Sequence, residues 1–418
     1  MRVLWLCHVV INDFADEFQI KRKPFAGWQE SMLHRLEPID NIDIALCFPI
    51  YDAKRRKDSV YNGHKYYSFN GNINQQSYDS SMSCEFLSIL KDFEPDVIHI
   101  WGTEMNHDLA MVEACQSLGI VDKVVVRIQG MPSIYQWHYT LGIPEKYHAM
   151  VNGDINSIDF MKDKFIRCGK VENEIFRRVR HVISRSDWGE ICVKQINPTV
   201  EFYRLQNIMR PIFYDVAGTW SIHNCKKHSI FIAQAHYSVK GFHYFLQALN
   251  MLCSKYKDIQ VYIAGPNPFE LGINDRAYGF LCYLTDLISE YELGNCLHFI
   301  DLLDEQEMVK ALLRAHVTVC PSTIENRANS VVEAMMVGTP VVVSYVGGNV
   351  GMLEHGREGF FYPVDEFYML AGYIDKIFSD DDLAESISKK AVCAALKMYN
   401  PADIVHQILK IYRMVTRE

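Results

Sequence analysis

In the stretch ENRANSVVEAMMVGTPVVVS, Glu325 and Glu333 stand eight positions apart around a polar turn that leads into an apolar helix and a valine-rich strand. The run VTVCPST before it reads as a strand, and VVEAMMVG reads as a short helix ended by Gly338 ahead of Pro340. The start of such a helix offers free N–H groups and the positive end of the dipole, where a phosphate binds without a metal. On that geometry Glu325, on the strand-end loop, reaches sugar hydroxyls, and Glu333, within the first turns of the helix, accepts from ribose hydroxyls. A nucleotide diphosphate sugar satisfies both. Ser330 followed by Glu333 is also a capping-box pattern with Ser330 at the N-cap, which would make Glu333 structural. Glu325 has no such second role in the pattern.

Loops of this kind need strands to hold them, and the chain supplies two series. Short β-branched runs (VLWLCHVVI, NIDIALCF, DVIHIWG, KVVVRIQG, HVISR) alternate with helix-like segments such as Trp28–Leu36 and Leu109–Leu118. The rhythm restarts with HSIFIAQA, QVYIAGPN, CLHFIDLL, VTVCPST and TPVVVSYVGG, interleaved with Phe242–Cys253, Phe280–Tyr291 and Glu305–Ala315. This is the pattern of two parallel, doubly wound sheets. The seam is expected between Asn207 and Lys227, giving an N-terminal domain over 1–212, a C-terminal domain over 213–400 and a final helix over 401–418 with Pro401 in its first turn. Two such sheets facing a cleft present their carboxyl-end loops to it, and ligands bind there. The strand ends on offer are Trp101-Gly102-Thr103-Glu104, Gln129-Gly130, Arg185-Ser186-Asp187, Ala235-His236, Gly265-Pro266-Asn267, Pro321 to Ser330 and Gly347-Gly348. Beside Asp187, Arg185 is expected to make a local surface pair.

Composition narrows the field. At 418 residues, 49% hydrophobic and 22% charged, the chain is globular, too long for one core, and holds no apolar run long enough to span a bilayer. The opening VLWLCHVVI resembles a secretory leader, but runs into Asn12-Asp13 and Asp16-Glu17 instead of a small-residue cleavage site, so a buried first strand is expected. Twelve cysteines are scattered without a CxxC pair, as in buried thiols of a reducing cytoplasm. The net charge of −9 argues against nucleic acid. It is carried mostly by the second half, since residues 1–212 hold 25 basic and 27 acidic residues. The clusters Lys21-Arg22-Lys23 and Lys54-Arg55-Arg56-Lys57 are suited to an anionic acceptor or to a peripheral contact with the inner face of the cell membrane, or are solvated loops. Asp380-Asp381-Asp382 could suggest a metal site, but their place before LAESISKKAV favours capping and dipole compensation.

The run PSTIENRANSVVEAMMVGTPVVVSYVGGNVGMLEHGREGFFYP resembles the signature region of glycosyltransferase family 4, retaining enzymes of the GT-B fold whose hallmark is Glu-x7-Glu, here Glu325 and Glu333. The likeness extends more loosely along the chain and is greatest to bacterial members that build cell-surface polysaccharides, through His99-Ile-Trp-Gly102-Thr-Glu104 and Ile128-Gln129-Gly130. It implies an α/β, GT-B architecture whose C-terminal helix crosses back to the N-domain. The family's donor-phosphate lysine falls on Lys240, before Gly241 and a helix, where an ammonium stabilises the leaving diphosphate as metals do elsewhere. The resemblance further implies that Asn329 and Ser330 give backbone N–H groups to the phosphates. It places Gly265 and the Leu302-Leu303 pair near the base, although apolar packing is the plainer reading of the leucines. In the N-domain it aligns Gly27 with a glycine-rich turn, and Gln129 stands where many relatives have histidine. Many also have an arginine before the lysine; here Gln234 and Ala235 occupy those positions, leaving Arg185, Arg210 or Arg327 to complete the clamp.

The implied chemistry is front-face transfer with no metal and no cofactor. Lys240 and the helix dipole stabilise the departing phosphate, while Glu325 orients the donor sugar and stabilises positive character at the anomeric carbon. The donor would be a UDP- or GDP-sugar and the acceptor a saccharide or lipid-linked saccharide, with Glu104, Gln129, Arg185 and Gly27 on the acceptor side. Two rivals are a sugar-nucleotide epimerase of the same architecture and an inactive donor-binding partner subunit.

Overall fold

The β-branched runs form two sheets in a computed structural model that describes residues 1–418 except 23–26, 52–56, 72–77, 79, 149–156, 266, 268–278 and 417–418. The basic residues Lys23 and Lys54 to Arg56, and Pro266 of the strand-end set, lie outside the described residues. The chain divides into two units: Met1–Gln136 with Lys164–Ile208 and Tyr399–Glu418, and Trp137–Asp163 with Met209–Met398.

The first unit is built on β1 (Arg2–Leu6), β2 (Asp43–Ile50), β3 (Ser59–Tyr61), β4 (His64–Asn70), β5 (Val97–Ile100), β6 (Val124–Arg127), β7 (His181–Ser184) and β8 (Glu201–Arg204). Their order is β3-β4-β2-β1-β5-β6-β7-β8, parallel throughout except for the β3–β4 hairpin. β1 is shorter than VLWLCHVVI suggested and ends at Leu6, so His8 stands just past its carboxyl end. Leu4, Leu6, Ile98, Ile100, Val124, Val126 and Val182 pack on one face against Phe86, Met111 and Phe176 of the helices. The helix Pro401–Val415 belongs to this unit: buried Tyr412 accepts a hydrogen bond from Trp5 Nε1 at 3.1 Å and bonds His99 Nδ1 at 2.6 Å.

The second unit has an all-parallel sheet of β9 (Ser229–Ile232), β10 (Gln260–Ala264), β11 (Leu297–Ile300), β12 (Val317–Cys320), β13 (Val341–Ser344) and β14 (Phe360–Tyr362), ordered β11-β10-β9-β12-β13-β14. Its first strand, β9, lies between β10 and β12, so the chain reverses its direction of winding there. Residues 137–163, expected with the N-terminal domain, group with this unit instead. They are tied to it by His243 Nε2 to Leu141 O (3.0 Å), Tyr147 OH to Asp286 Oδ2 (2.5 Å) and Thr323 Oγ1 to His138 O (3.3 Å). The division at Ile208/Met209 has a similar cause, since the stretch after it is anchored here by Gly218 N to Met336 O and Trp220 N to Val337 O. No helix among the described residues is long and apolar enough to cross a membrane.

Candidate functional site

The reversal at β9 and β12 sets two strand ends side by side, and open parallel sheets bind ligands at such a switch point. The loop after β9 carries Lys240 and the loop after β12 carries Glu325. Thr323 N–H donates to Val239 O at 2.8 Å and joins the two loops. Gly241 lets them approach, because its φ is +66° and a Cβ there would lie 1.9 Å from Pro321 O. Glu325 is held by Gly348 N–H on its carbonyl at 2.8 Å, and a Cβ on Gly347 (φ +46°) would come within 2.3 Å of that same oxygen.

Within this frame Lys240 Nζ donates to Glu325 Oε1 at 2.5 Å, and the Ser322 hydroxyl donates to the same oxygen at 2.9 Å. Both charged side chains are largely buried, 15% and 12% exposed. Burial alone would pull the Lys240 pKa down. The Glu325 carboxylate, with Tyr237 beside the ammonium, overcomes that and holds it well above the ordinary lysine value. The two residues picked out for catalysis are thus an ion pair.

The helix that follows spans Asn329–Val337 and ends at Gly338, which is left-handed with φ +100°. Its N-cap is Ala328, whose N–H is taken by Asn349 Oδ1 at 3.1 Å, so the helix begins two residues earlier than a Ser330 cap requires. The capping-box reading of Ser330 and Glu333 is therefore overturned. Glu333 is buried and accepts from Arg210 Nη2 at 2.7 Å. Burial raises its pKa, and Arg210 opposes the rise. Among the three candidate arginines, Arg210 is bonded to a signature glutamate. Arg327 sends Nη2 to Gly351 O (3.2 Å) and Met398 Sδ (2.9 Å).

Gly265 closes β10 at φ +120°, donating to Ile300 O at 2.8 Å, and a Cβ there would stand 3.5 Å from His236 Nδ1. Burial and the Lys240 charge lower the His236 pKa. Leu303 is half-buried, but Leu302 is 61% exposed, against the packing reading of that pair. The cause is local: edge strand β11 has already ended at Ile300. The acidic run 380–382 belongs to a helix start, where Asp380 Oδ1 accepts from Leu383 N–H at 2.9 Å and Asp381 pairs with Lys227.

In the first unit the winding reverses between β1 and β5. Glu104, after β5, accepts from Thr103 N–H (2.8 Å) and, through its other oxygen, from Gly130 N–H (3.0 Å), the residue following Gln129. Gly27 opens the helix Gly27–Leu36 and accepts from Ser31 Oγ at 2.7 Å. Arg185 is buried beyond β7 instead of lying on the surface, and Asp187 pairs with Arg204 of β8. Of the basic clusters, Arg22 pairs with Asp16 (3.4 Å) and Lys57 with Glu17 (3.2 Å). Sequence reasoning missed Ser322, Tyr237 and Asn349. It also missed Glu172, a fully buried carboxyl that accepts from Thr103 Oγ1 (2.8 Å), Ser133 N–H (3.0 Å) and Ser133 Oγ.

Residues 221–392, which include Lys240, Glu325 and Glu333, match the family model described as Glycosyl transferases group 1. The chain is 24% identical over 243 residues to an uncharacterized glycosyltransferase of Methanocaldococcus jannaschii, covering 56% of this chain and 59% of that relative, less than two thirds of its length. Among solved structures, sucrose-phosphate synthase from Thermosynechococcus elongatus superposes with a TM-score of 0.72 at 13% identity over 99% of both chains. HepE from Anabaena, solved in complex with UDP-glucose, gives 0.64 at 16% identity over 99% of this chain and 100% of that one. The chain has the two-unit, parallel-sheet fold of the GT-B glycosyltransferases, and its residues 221–392 match the glycosyl transferases group 1 model.

Proposed function

We propose that this chain is a retaining, metal-independent glycosyltransferase that moves a sugar from a UDP- or GDP-sugar to a saccharide or lipid-linked saccharide, in the synthesis of cell-surface polysaccharide. One observation carries the reading: a largely buried ammonium and a largely buried carboxylate, Lys240 and Glu325, meet at the switch point of a parallel sheet inside the segment matched by the glycosyl transferases group 1 family. A helix N-terminus follows directly in the chain. The UDP-glucose complex of the similarly folded HepE supports a nucleotide-sugar donor.

In the reaction the bond from the anomeric carbon to the phosphate oxygen breaks and its electron pair stays on the diphosphate. Lys240, sharing its protons between that oxygen and Glu325, and the N–H groups at Asn329 and Ser330 disperse the charge. The same phosphate oxygen takes the acceptor's hydroxyl proton as the new bond forms on the face the leaving group vacates, so the configuration is kept. Glu325 faces the anomeric centre and stabilises its positive character. Glu333, oriented by Arg210, binds the ribose hydroxyls, and Gly265 and Leu303 border the base.

A melting panel with UDP-, GDP- and ADP-sugars tests the reading, because a ligand that binds only the native state raises the melting temperature by mass action. A shift with one nucleotide is expected. No shift with any of them overturns the donor assignment.

A further inference from the structure

The switch point of the first unit holds a cluster that the chemistry above leaves unused. His8, just past β1, bonds through Nε2 to Asp108 Oδ2 at 2.8 Å. Asp108 is fully buried at the start of the helix Asn106–Ser117, where Oδ2 also accepts from Met105 N–H at 2.9 Å. The His8 ring fits only because residue 102 is glycine: φ is +148° and a Cβ there would lie 1.8 Å from His8 Cε1. His107 packs edge-on against the ring at 5.4 Å. The other ring nitrogen, Nδ1, stands 3.7 Å from Glu104 Oε2, too far for a hydrogen bond. The His8 and Glu104 side chains remain 14% and 21% exposed, whereas Asp108 has no exposure.

Burial draws the His8 pKa down, but the charge and hydrogen bond of Asp108, aided by Glu104, carry it up to about 9. The ring is then an imidazolium with a donor at each nitrogen. Burial pushes neighbouring His107 down to about 4, so it is neutral. One cation faces two carboxylates, a balance that suits uncharged polyols and repels anions.

We propose that His8 and Glu104 together bind two neighbouring hydroxyls of a neutral saccharide acceptor, His8 donating to one oxygen and Glu104 accepting from the other. Asp108 is a positioning residue that fixes the ring. This rests on the glycosyltransferase reading and names the acceptor class for it. Both atoms lie at the carboxyl ends of the strands flanking the switch point, where an open parallel sheet takes its ligand.

The test is a tryptophan-fluorescence titration of the full chain with methyl glucoside, methyl galactoside, methyl mannoside and methyl glucuronide in the absence of nucleotide. Trp101 and Trp28, 5.3 Å apart, supply the signal near this strand end. Wild type is expected to bind at least one neutral glycoside and to bind it better than the glucuronide. His8→Gln and Glu104→Gln should each raise its dissociation constant at least tenfold, while UDP still raises the melting temperature of both variants. Unchanged affinity in both variants, preference for the glucuronide, or no binding of any neutral glycoside overturns the proposal. Glycoside binding without any sugar-nucleotide shift leaves the saccharide site standing and fails the donor reading instead.

Discussion

Removing the charges of Lys240 and Glu325 singly and together separates their structural bond from their chemistry. The pair is short, 2.5 Å, and largely buried, so breaking it from either side strands a charge. Removing one partner of a buried pair costs about 3–5 kcal/mol. Glu325→Gln should fall below that range, at roughly 2 kcal/mol, because the amide oxygen still accepts from the ammonium. Lys240→Met should cost about 3 kcal/mol, since Glu325 keeps only the Ser322 hydroxyl at 2.9 Å. The double variant leaves no stranded charge and should cost about 1–2 kcal/mol, a coupling of roughly 3–4 kcal/mol. For a unit of this size about 1 kcal/mol corresponds to ~2–4 °C of melting temperature. Lys240→Met should therefore melt several degrees lower than the double, and Glu325→Gln lower by at most about 4 °C. Turnover should not follow stability: Glu325→Gln loses on the order of 10²-fold in kcat, and the double variant is no more active. UDP affinity completes the test, falling tenfold or more in Lys240→Met but not in Glu325→Gln. Additive melting shifts would refute the pair, and equal UDP affinity in all variants would refute Lys240 as the phosphate ligand.

Glu333→Gln leaves the largely buried Arg210 without its carboxylate, so it should lower stability by about 2–4 kcal/mol, more than the loss of a helix cap, and raise the donor KM. A normal KM removes Glu333 from the ribose contacts. Nucleotide release should survive EDTA. Loss of activity restored by Mn²⁺ would sink the metal-free mechanism. Glu172 is raised by burial from 4.5 to about 8, against its hydrogen bonds from Ser133 and Thr103. The native state then binds more protons than the unfolded chain between those values, so stability should fall as pH rises from about 4.5 to about 8. Urea titrations should show that slope in wild type and a flatter one in Glu172→Gln; equal slopes contradict the assignment.

The alternation of β-branched runs with apolar-periodic helices made both sheets legible, because strands buried on both faces leave an unmistakable apolar signature. The hairpin β3–β4 was missed although Asn62-Gly63, both at positive φ, is a two-residue turn signal in plain view. At the site, the positions of Lys240 and Glu325 followed from strand-end loops, but their ion pair did not, since 85 residues of chain separate them. The start of the helix after ENRAN was misplaced by two residues because Asn349, from a different loop, supplies the bond that a local cap would. Residues 137–163 join the second unit through tertiary hydrogen bonds that no local pattern announces. His8, Asp108 and Glu172 were invisible for the same reason: each gains its meaning from a partner across the fold.

Sugar transfer from a nucleotide diphosphate sugar should depend on Lys240 and Glu325. It is tested most directly by incubating wild type, Glu325→Gln and Lys240→Met with UDP- and GDP-sugars, with and without a glycoside acceptor, and identifying products by mass spectrometry. Free nucleotide diphosphate and a glycosylated acceptor are expected from wild type, with both products lowered on the order of 10²-fold in Glu325→Gln. A rearranged sugar nucleotide without acceptor would indicate an epimerase. Products formed equally by all three proteins, or by none of them, would contradict the claim.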